Sequence, residues 1–132
     1  MNKKSLDVPE GLVLRKVNSL EALLSAPKFN LDNLICVIDW NKGQSEGWSN
    51  DSMPIYNNLL DKIKTFGWDC HLVDGHDMSV LKETIDLNSK LPKCIIMNTI
   101  KGKGVSFMES PSWHAKCPSD EEYELAKKEL EI

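Results

Sequence analysis

The sequence predicts an α/β domain in which a parallel sheet carries helices on both faces. Three short apolar segments rich in branched side chains alternate with stretches of helical periodicity. The first and third segments are apolar at successive positions, which is typical of strands covered on both sides. Strands joined by crossover helices favour a parallel, right-handed arrangement.

Each element has its own signal in the chain. Strands are predicted over residues 34–38, 70–73 and 94–97. Helices are predicted over residues 14–26, 55–63, 80–87 and 120–130. The first helix is expected to end before Pro27, because a proline disfavours helical geometry in the residue that precedes it. The last helix begins after Ser119, and Glu122 completes a capping box.

Composition and charge exclude several classes of function. The chain has 132 residues, of which 41% are hydrophobic and 27% charged, as expected for one globular domain. Its 16 basic and 20 acidic residues are interspersed, so we expect no nucleic-acid partner. No apolar run approaches the ~20 residues that span a bilayer, and the first residues do not resemble a secretory signal. We therefore expect a cytoplasmic protein without a membrane segment.

The cysteines show no spacing typical of a zinc site or a redox pair. Cys36, Cys70 and Cys94 lie in or beside apolar runs, where they are expected to be small buried hydrophobes. Cys117 follows a polar stretch and precedes Pro118, so it is the candidate for an exposed thiol.

Polar residues follow each predicted strand, where ligands bind in an open α/β sheet. Asp39, Asn41 and Gly43 come after the first strand. Asn41 can offer a side-chain carbonyl and Gly43 a main-chain carbonyl to a magnesium or calcium ion. A simple turn is the alternative explanation of these residues.

Several segments, in the right order, resemble transketolases, especially the shorter split-subunit form. The first holds Leu-Asp-Asn-Leu, a strand and Asp-x-Asn, and the others include Asp-Gly-His-Asp and Lys-Gly-Lys-Gly. The matching segments are residues 31–42, 53–54, 66–68, 74–77, 99–109 and 113–114. The resemblance is clearest over residues 28–130, and it implies that residues 1–132 form a single partial thiamine-diphosphate-binding domain.

The resemblance implies roles for individual residues. Asn41 and Gly43 correspond to ligands of the divalent metal, Mg²⁺ or Ca²⁺, that holds thiamine diphosphate in this family. His114 corresponds to a histidine near the diphosphate that assists proton transfer, and Lys101 lies near the diphosphate. Asp39 is expected to order its loop. The family has glycine where this chain has Ala115.

His76 also lies in a segment that resembles the family, but we expect it to have a structural rather than a catalytic role. It lies in the Asp-Gly-His-Asp segment, which we expect to form a helix entry. Asp77 or Ser79 supplies the cap oxygens in that reading. The four tryptophans, Trp40, Trp48, Trp68 and Trp113, are expected to pack or to lie at interfaces.

One part of the family's cofactor site is missing from the sequence. The family places a metal-binding aspartate in Gly-Asp-Gly, followed after three residues by Glu-Gly. If Glu10 and Gly11 are that pair, Gly-Asp-Gly falls on Lys4, Ser5 and Leu6, which lack both the glycines and the carboxylate. Residues 12–27 also match only loosely.

The resemblance thus implies a transketolase-like subunit or fragment that is inactive alone. The family transfers a two-carbon ketol unit between sugar phosphates, and a second chain supplies its pyrimidine-binding domain, so a dimer or hetero-oligomer is expected. Two alternatives stay open: a deoxyxylulose-phosphate type of thiamine-diphosphate synthase, and a non-catalytic remnant or assembly module. The sugar substrates and the partner chain are left open.

Overall fold

The computed structural model describes residues 19–44, 47–52 and 58–131. The helices are α1 (Ser19–Lys28), α2 (Ser49–Ser52), α3 (Leu59–Thr65), α4 (Met78–Asp86) and α5 (Asp120–Glu129). The strands are β1 (Ile35–Trp40), β2 (Gly43–Gln44), β3 (Gly47–Trp48), β4 (Asp69–Asp74) and β5 (Lys93–Asn98). Two 3-10 turns, Ser106–Met108 and Pro111–Trp113, connect β5 to α5.

The three predicted strands form one parallel sheet in the spatial order β1, β5, β4. The last strand in the sequence is therefore the central one. Cys36, Cys94 and Cys70 lie in register across the sheet, and so do Trp40, Asn98 and Asp74 at its carboxyl edge. All three strands end at the same level, so the segments that follow them meet at one edge.

One face of the sheet packs against α1 and α3. Its buried cluster contains residues from α1, α3, the turn before β4 and the sheet: Ala26, Ile63, Trp68, Cys70, Cys94 and Ile96. Burying an isoleucine side chain contributes about 1.5 to 3 kcal/mol relative to its exposure. This face is the main hydrophobic core.

The other face is covered by α4 over only part of its width. Ile95 and Lys93 of β5 are buried there, whereas Ile35 and Val37 of β1 are 41% and 52% exposed. The prediction that the first strand is covered on both sides is therefore wrong for the part of the chain that the structure describes. The sequence pattern shows which side chains are apolar, but it does not show whether another helix or strand packs against them.

The buried Lys93 caps the carboxyl end of α4. Its Nζ donates to the carbonyl oxygens of Thr84 and Ile85 at 2.9 Å and of Leu87 at 2.5 Å. The last carbonyls of a helix have no partner inside the helix. A lysine from β5 thus stabilises the helix that covers β5.

The prediction that the first helix ends before Pro27 is also wrong, because α1 continues through Pro27 to Lys28. Pro27 has no N–H to donate to the carbonyl of Leu23, four residues earlier. The indole Nε1 of Trp68 donates to that carbonyl at 2.8 Å instead. A residue 45 positions away therefore replaces the hydrogen bond that proline removes.

Helices α4 and α5 agree with their predicted capping signals, whereas α2 was not predicted. Ser119 and Glu122 form the capping box of α5, with hydrogen bonds of 2.8 and 3.2 Å. Asp77 caps α4 by accepting from the backbone N–H groups of Ser79 and Val80. Residues 14–18 and 55–57 of the predicted helices lie outside the described residues, as do the matching segment 53–54, Lys4 to Leu6 and Glu10 to Gly11.

Cysteine placement follows the sequence prediction. Cys70 and Cys94 are buried, Cys36 is half-buried and Cys117 is exposed. Burial, followed by the neighbouring Cys36 and Cys70, raises the pKa of the Cys94 thiol well above its ordinary value. Among the helices of the described chain, none combines the length and apolar character that a bilayer crossing requires.

Candidate functional site

Asn41 and Gly43 occupy the first strand-end loop (residues 41–44), directly after β1. The backbone N–H of Gly43 donates to Asn41 Oδ1 at 2.9 Å, and Asn41 Nδ2 donates to Asp39 Oδ2 at 3.4 Å. The backbone carbonyl of Lys42 accepts from the N–H of Ser49 at 2.7 Å, which ties the loop to the start of α2. The loop is thus held at both ends, with the Asn41 carboxamide in a defined orientation.

The loop that carries His114 packs against Gly43. A Cβ atom added to Gly43 would lie 3.3 Å from Pro111 Cγ and 3.4 Å from Asn41 Oδ1, so the backbone is closely surrounded there. The N–H of His114 donates to Pro111 O at 2.9 Å, and the imidazole is exposed. The structure therefore brings the predicted metal and proton-transfer residues into neighbouring loops.

Ala115 adopts a backbone conformation that favours glycine. Its φ is 59°, in the left-handed region, where a Cβ atom costs about 1 to 2 kcal/mol. The neighbouring Trp113 ring packs against Phe107 with centroids 5.0 Å apart, and Lys116 Nζ lies 5.7 Å from the Trp113 ring. These contacts hold the strained turn that follows His114.

Asp39 connects the first loop to the third strand-end loop (residues 99–104), which follows β5. The hydroxyl of Thr99 donates to Asp39 Oδ1, 60 positions away in the sequence. The N–H of Thr99 also donates to Trp40 O at 3.4 Å. The expectation that Asp39 orders its loop agrees with these contacts, whereas sequence reasoning did not identify Thr99.

The second strand-end loop (residues 75–77) lies against the third. Gly75 N–H donates to Asn98 O at 3.0 Å, and a Cβ on Gly75 would collide with the Thr99 methyl and lie 2.8 Å from Met97 Cβ. His76 Nε2 accepts from the N–H of Ile100 at 2.9 Å. His76 therefore has a tertiary contact besides its place at the helix entry.

A cleft of about 430 Å³ opens at this edge of the sheet. Lys42, His76, Asn98 and Lys103 are among its lining residues, and Lys101 is not one of them. Lys42 has a φ of 63°, and its ammonium lies 5.5 Å from the Trp40 ring. Two lysines that sequence reasoning did not single out therefore line this cleft.

The 3-10 turn Ser106–Met108, which follows the third strand-end loop, is anchored by α5. Glu129 accepts from the N–H and from the hydroxyl of Ser106, each at 2.6 Å. These two hydrogen bonds, the one from the Ser106 side chain first, lower the pKa of the Glu129 carboxyl. Gly102 has a φ of 67° and leaves no room for a Cβ beside the Met108 backbone. The loop that carries Lys101 is therefore compact.

The donor set at Asn41 and Gly43 fits half of a magnesium or calcium site. Amide and main-chain carbonyl oxygens are the hard ligands these ions prefer. Asp39, a carboxylate in contact with Asn41, already accepts from Asn41 and Thr99. Within residues 19–44, 47–52 and 58–131, no group of three or more His, Cys, Asp or Glu residues is arranged to hold a metal.

A second, smaller cleft of about 190 Å³ lies beside this loop. Its lining includes Asn41, Gly43, Trp40 and Ser49. Trp40 Nε1 and Ser49 Oγ are buried and have no hydrogen-bond partner in the described chain. Buried polar groups are normally hydrogen-bonded, so this orphaned pair marks a place suited to a polar occupant.

The comparisons with known proteins all point to the same family. The sequence profile described as "Transketolase, thiamine diphosphate binding domain" matches residues 10–132. The chain is 37% identical over 114 residues to an apulose-4-phosphate transketolase subunit of Phocaeicola vulgatus and 40% identical over 114 residues to its counterpart in Actinobacillus succinogenes. These matches cover 83% of the chain and 40% and 41% of the two relatives.

Solved structures agree on the fold. A mutant transketolase of Pichia stipitis, crystallised with fructose 6-phosphate, superposes with a TM-score of 0.77 at 22% identity. That match covers 86% of this chain and 17% of the other. The chain thus spans about two fifths of the length of these two relatives and less of the solved structure. With its profile match and its fold, the chain belongs to the transketolase family and corresponds to part of the thiamine-diphosphate-binding domain.

Proposed function

We propose that this chain provides part of the cofactor site of a transketolase that transfers two-carbon ketol units between sugar phosphates. One observation carries the proposal: the Asn41–Gly43 turn and the His114 loop pack together at the carboxyl edge of the sheet, through Pro111. Ligands of open α/β sheets bind at this edge. Two relatives are named as single subunits of a transketolase, which supports a partner chain here as well.

The proposed roles follow from the donors on each loop. Asn41 Oδ1 and the Gly43 carbonyl hold a divalent cation, Mg²⁺ or Ca²⁺, and Lys101 approaches the diphosphate. His114, exposed beside this turn, gives or takes a proton at a substrate oxygen. Thiamine diphosphate, when bound, supplies the carbanion chemistry of ketol transfer.

The site as proposed needs groups from another polypeptide or segment. Gly-Asp-Gly does not occur in the 132 residues, so the anionic metal ligand has to come from elsewhere. A second chain also supplies the domain that binds the pyrimidine ring. Residues 1–132 are then one part of a cofactor domain, and the working enzyme is a dimer or hetero-oligomer.

Calorimetry of the isolated chain tests the incomplete site. We expect weak or undetectable binding of thiamine diphosphate with Mg²⁺, because one anionic ligand and the glycine cradle are missing. A dissociation constant of about 1 μM or tighter, equivalent to about −8 kcal/mol, would show that the missing half-site is unnecessary.

In a complex that restores activity, Asn41→Ala should weaken metal and cofactor affinity more than Asp77→Ala. Asn41 is a proposed ligand, whereas Asp77 caps α4. Titrating activity with metal and with cofactor measures both affinities. Equal losses in the two variants would remove the role proposed for Asn41.

His114→Ala should lower turnover without changing stability. The imidazole is exposed, and loss of a positioned proton donor typically costs ~100-fold in rate. Turnover of the completed enzyme and thermal unfolding of the chain give the two readouts. Earlier unfolding with unchanged turnover would make His114 a packing residue.

Two other functions have specific observations in their favour. The Asp-Gly-His-Asp and Lys-Gly-Lys-Gly segments are shared with thiamine-diphosphate synthases of the deoxyxylulose-phosphate type, and pyruvate consumption would identify that activity. The absent Gly-Asp-Gly favours a non-catalytic assembly module. An assembled complex that stays inactive and binds no cofactor would support that function.

A further inference from the structure

We infer that Thr99 is a positioning residue that acts through Asp39 to fix the direction of the Asn41 carboxamide. The three residues form a chain of hydrogen bonds from the third strand-end loop to the first. The consequence for metal binding rests on the proposed function, because it requires Asn41 to be a ligand. The positioning itself can be measured without any metal.

The Asn41 carboxamide has two different ends, and each meets a matching partner. Its oxygen accepts from Gly43 N–H at 2.9 Å, and its nitrogen donates to Asp39 Oδ2 at 3.4 Å. A flipped carboxamide would place its NH₂ group against an N–H and its oxygen against a carboxylate. Asp39 therefore helps to keep Oδ1, the atom that would bind a cation, on the Gly43 side.

Asp39 can do this only while its own carboxylate is held. The Asp39 residue is exposed, so water would otherwise compete for both oxygens. The Thr99 hydroxyl donates to Oδ1, which leaves Oδ2 for Asn41. Hydrogen bonds to an ionised carboxylate are stronger than those between neutral groups. Thr99 also keeps Asp39 from turning to become a metal ligand itself.

The orientation of Thr99 is set by packing. The backbone of Gly75 lies so close to the Thr99 methyl that a Cβ at Gly75 would collide with it. A β-branched side chain has few accessible rotamers, so a fixed methyl also fixes the hydroxyl. The next residue, Ile100, donates its N–H to His76 Nε2 at 2.9 Å. The second strand-end loop thus holds Thr99 in the orientation that reaches Asp39.

The test compares Thr99→Val, which replaces the hydroxyl by a methyl, with Thr99→Ser, which keeps it. Thr65→Val is a matched control, since the Thr65 hydroxyl donates to Lys62 O on the surface of α3, away from the loops. The NMR signals of the Asn41 side-chain NH₂ and their exchange with water report the orientation. Titration with Mn²⁺ alone, followed by broadening of the Asn41 and Gly43 signals, reports metal binding.

Thr99→Val should speed exchange of the Asn41 NH₂ protons and lower Mn²⁺ affinity by about tenfold, as losing an outer partner of a metal ligand does. Thr99→Ser and Thr65→Val should stay close to the original chain. Unchanged Asn41 exchange in a folded Thr99→Val variant would overturn the inference, and so would tighter Mn²⁺ binding. If Mn²⁺ leaves the Asn41 and Gly43 signals of the original chain unbroadened, the half-site does not bind the ion without the missing anionic ligand, and NH₂ exchange alone decides the positioning role.

Discussion

Strands β1 and β5 have similar apolar sequences and different surroundings. Each has six residues, and they pair with each other in register. The first five residues of β5 are mostly buried, whereas the residues of β1 alternate between exposed and half-buried. β5 lies between two strands and packs against helices on both faces, while β1 is covered on one face in the described part of the chain.

An apolar run thus indicates which side chains a strand can bury, whereas the position of the strand in the sheet determines which of its faces are buried. Both strands were predicted from the same signal. Of these two strands, β5 is the one in contact with α4, through Lys93 on its second face. Stability should therefore be concentrated in β5 and its contacts, which the following variants test.

The largest expected effect is at the centre of the sheet. Ile96→Ala should lower the free energy of unfolding by about 2 to 5 kcal/mol, because Ile96 is 1% exposed and its removal leaves a cavity. The same change at Ile35, 41% exposed in β1, should cost about 1 kcal/mol or less. Urea unfolding of both variants measures the difference, and equal costs would break the contrast between the strands.

Lys93→Met should lower the free energy of unfolding by about 1 to 3 kcal/mol, because the carbonyls at the end of α4 lose their donor in a buried place. Lys82→Met is the matched control, as it removes a lysine whose ion pair with Asp86 is exposed. No measurable change is expected for the control. If the two variants have the same free energy of unfolding, Lys93 does not stabilise the contact between α4 and β5.

The contact between Trp68 and α1 should have a smaller effect, about 1 to 2 kcal/mol on Trp68→Phe. Phenylalanine keeps an aromatic ring in the core but leaves Leu23 O without its donor. Pro27→Ala restores an N–H that can reach this carbonyl, so it should stabilise the Trp68→Phe variant more than the original chain. A double-mutant cycle measures this coupling, and additive effects would contradict it.

The smallest effect concerns acid stability at the start of β4. Partial burial acts to raise the pKa of Asp69, but the polar side chain of Ser89, the His71 imidazole 3.1 Å away and the charges of His71 and Lys93 lower it overall. A carboxyl whose pKa is lowered by folding stabilises the protein above its unfolded pKa of 3.8 and loses that contribution as the pH falls. Asp69→Asn should thus flatten the dependence of stability on pH below about 4. If the slope of stability against pH is unchanged in Asp69→Asn, Asp69 does not contribute to the loss of stability in acid.

Much of the candidate site could be approached from the sequence. The strand ends, the Asp77 cap and the loop of Asn41 and Gly43 were predicted from short segments, and the family resemblance pointed to Ala115, whose φ of 59° suits glycine better. The partners of these groups could not be predicted. The hydrogen bond between Thr99 and Asp39 joins residues 60 positions apart, and that between Ile100 and His76 joins residues 24 positions apart. No pattern of neighbouring residues could therefore predict either contact.

Signals that lie within a few residues of one another were enough to predict three apolar strands, the capping box of α5 and the α/β class. Tertiary structure decided that the last strand is central, that β1 keeps one exposed side and that α1 continues through Pro27. These two groups of features differ in how far apart along the chain the interacting residues lie. Propensity and capping act between neighbours in the chain, whereas burial and the donor from Trp68 depend on groups that only folding brings together.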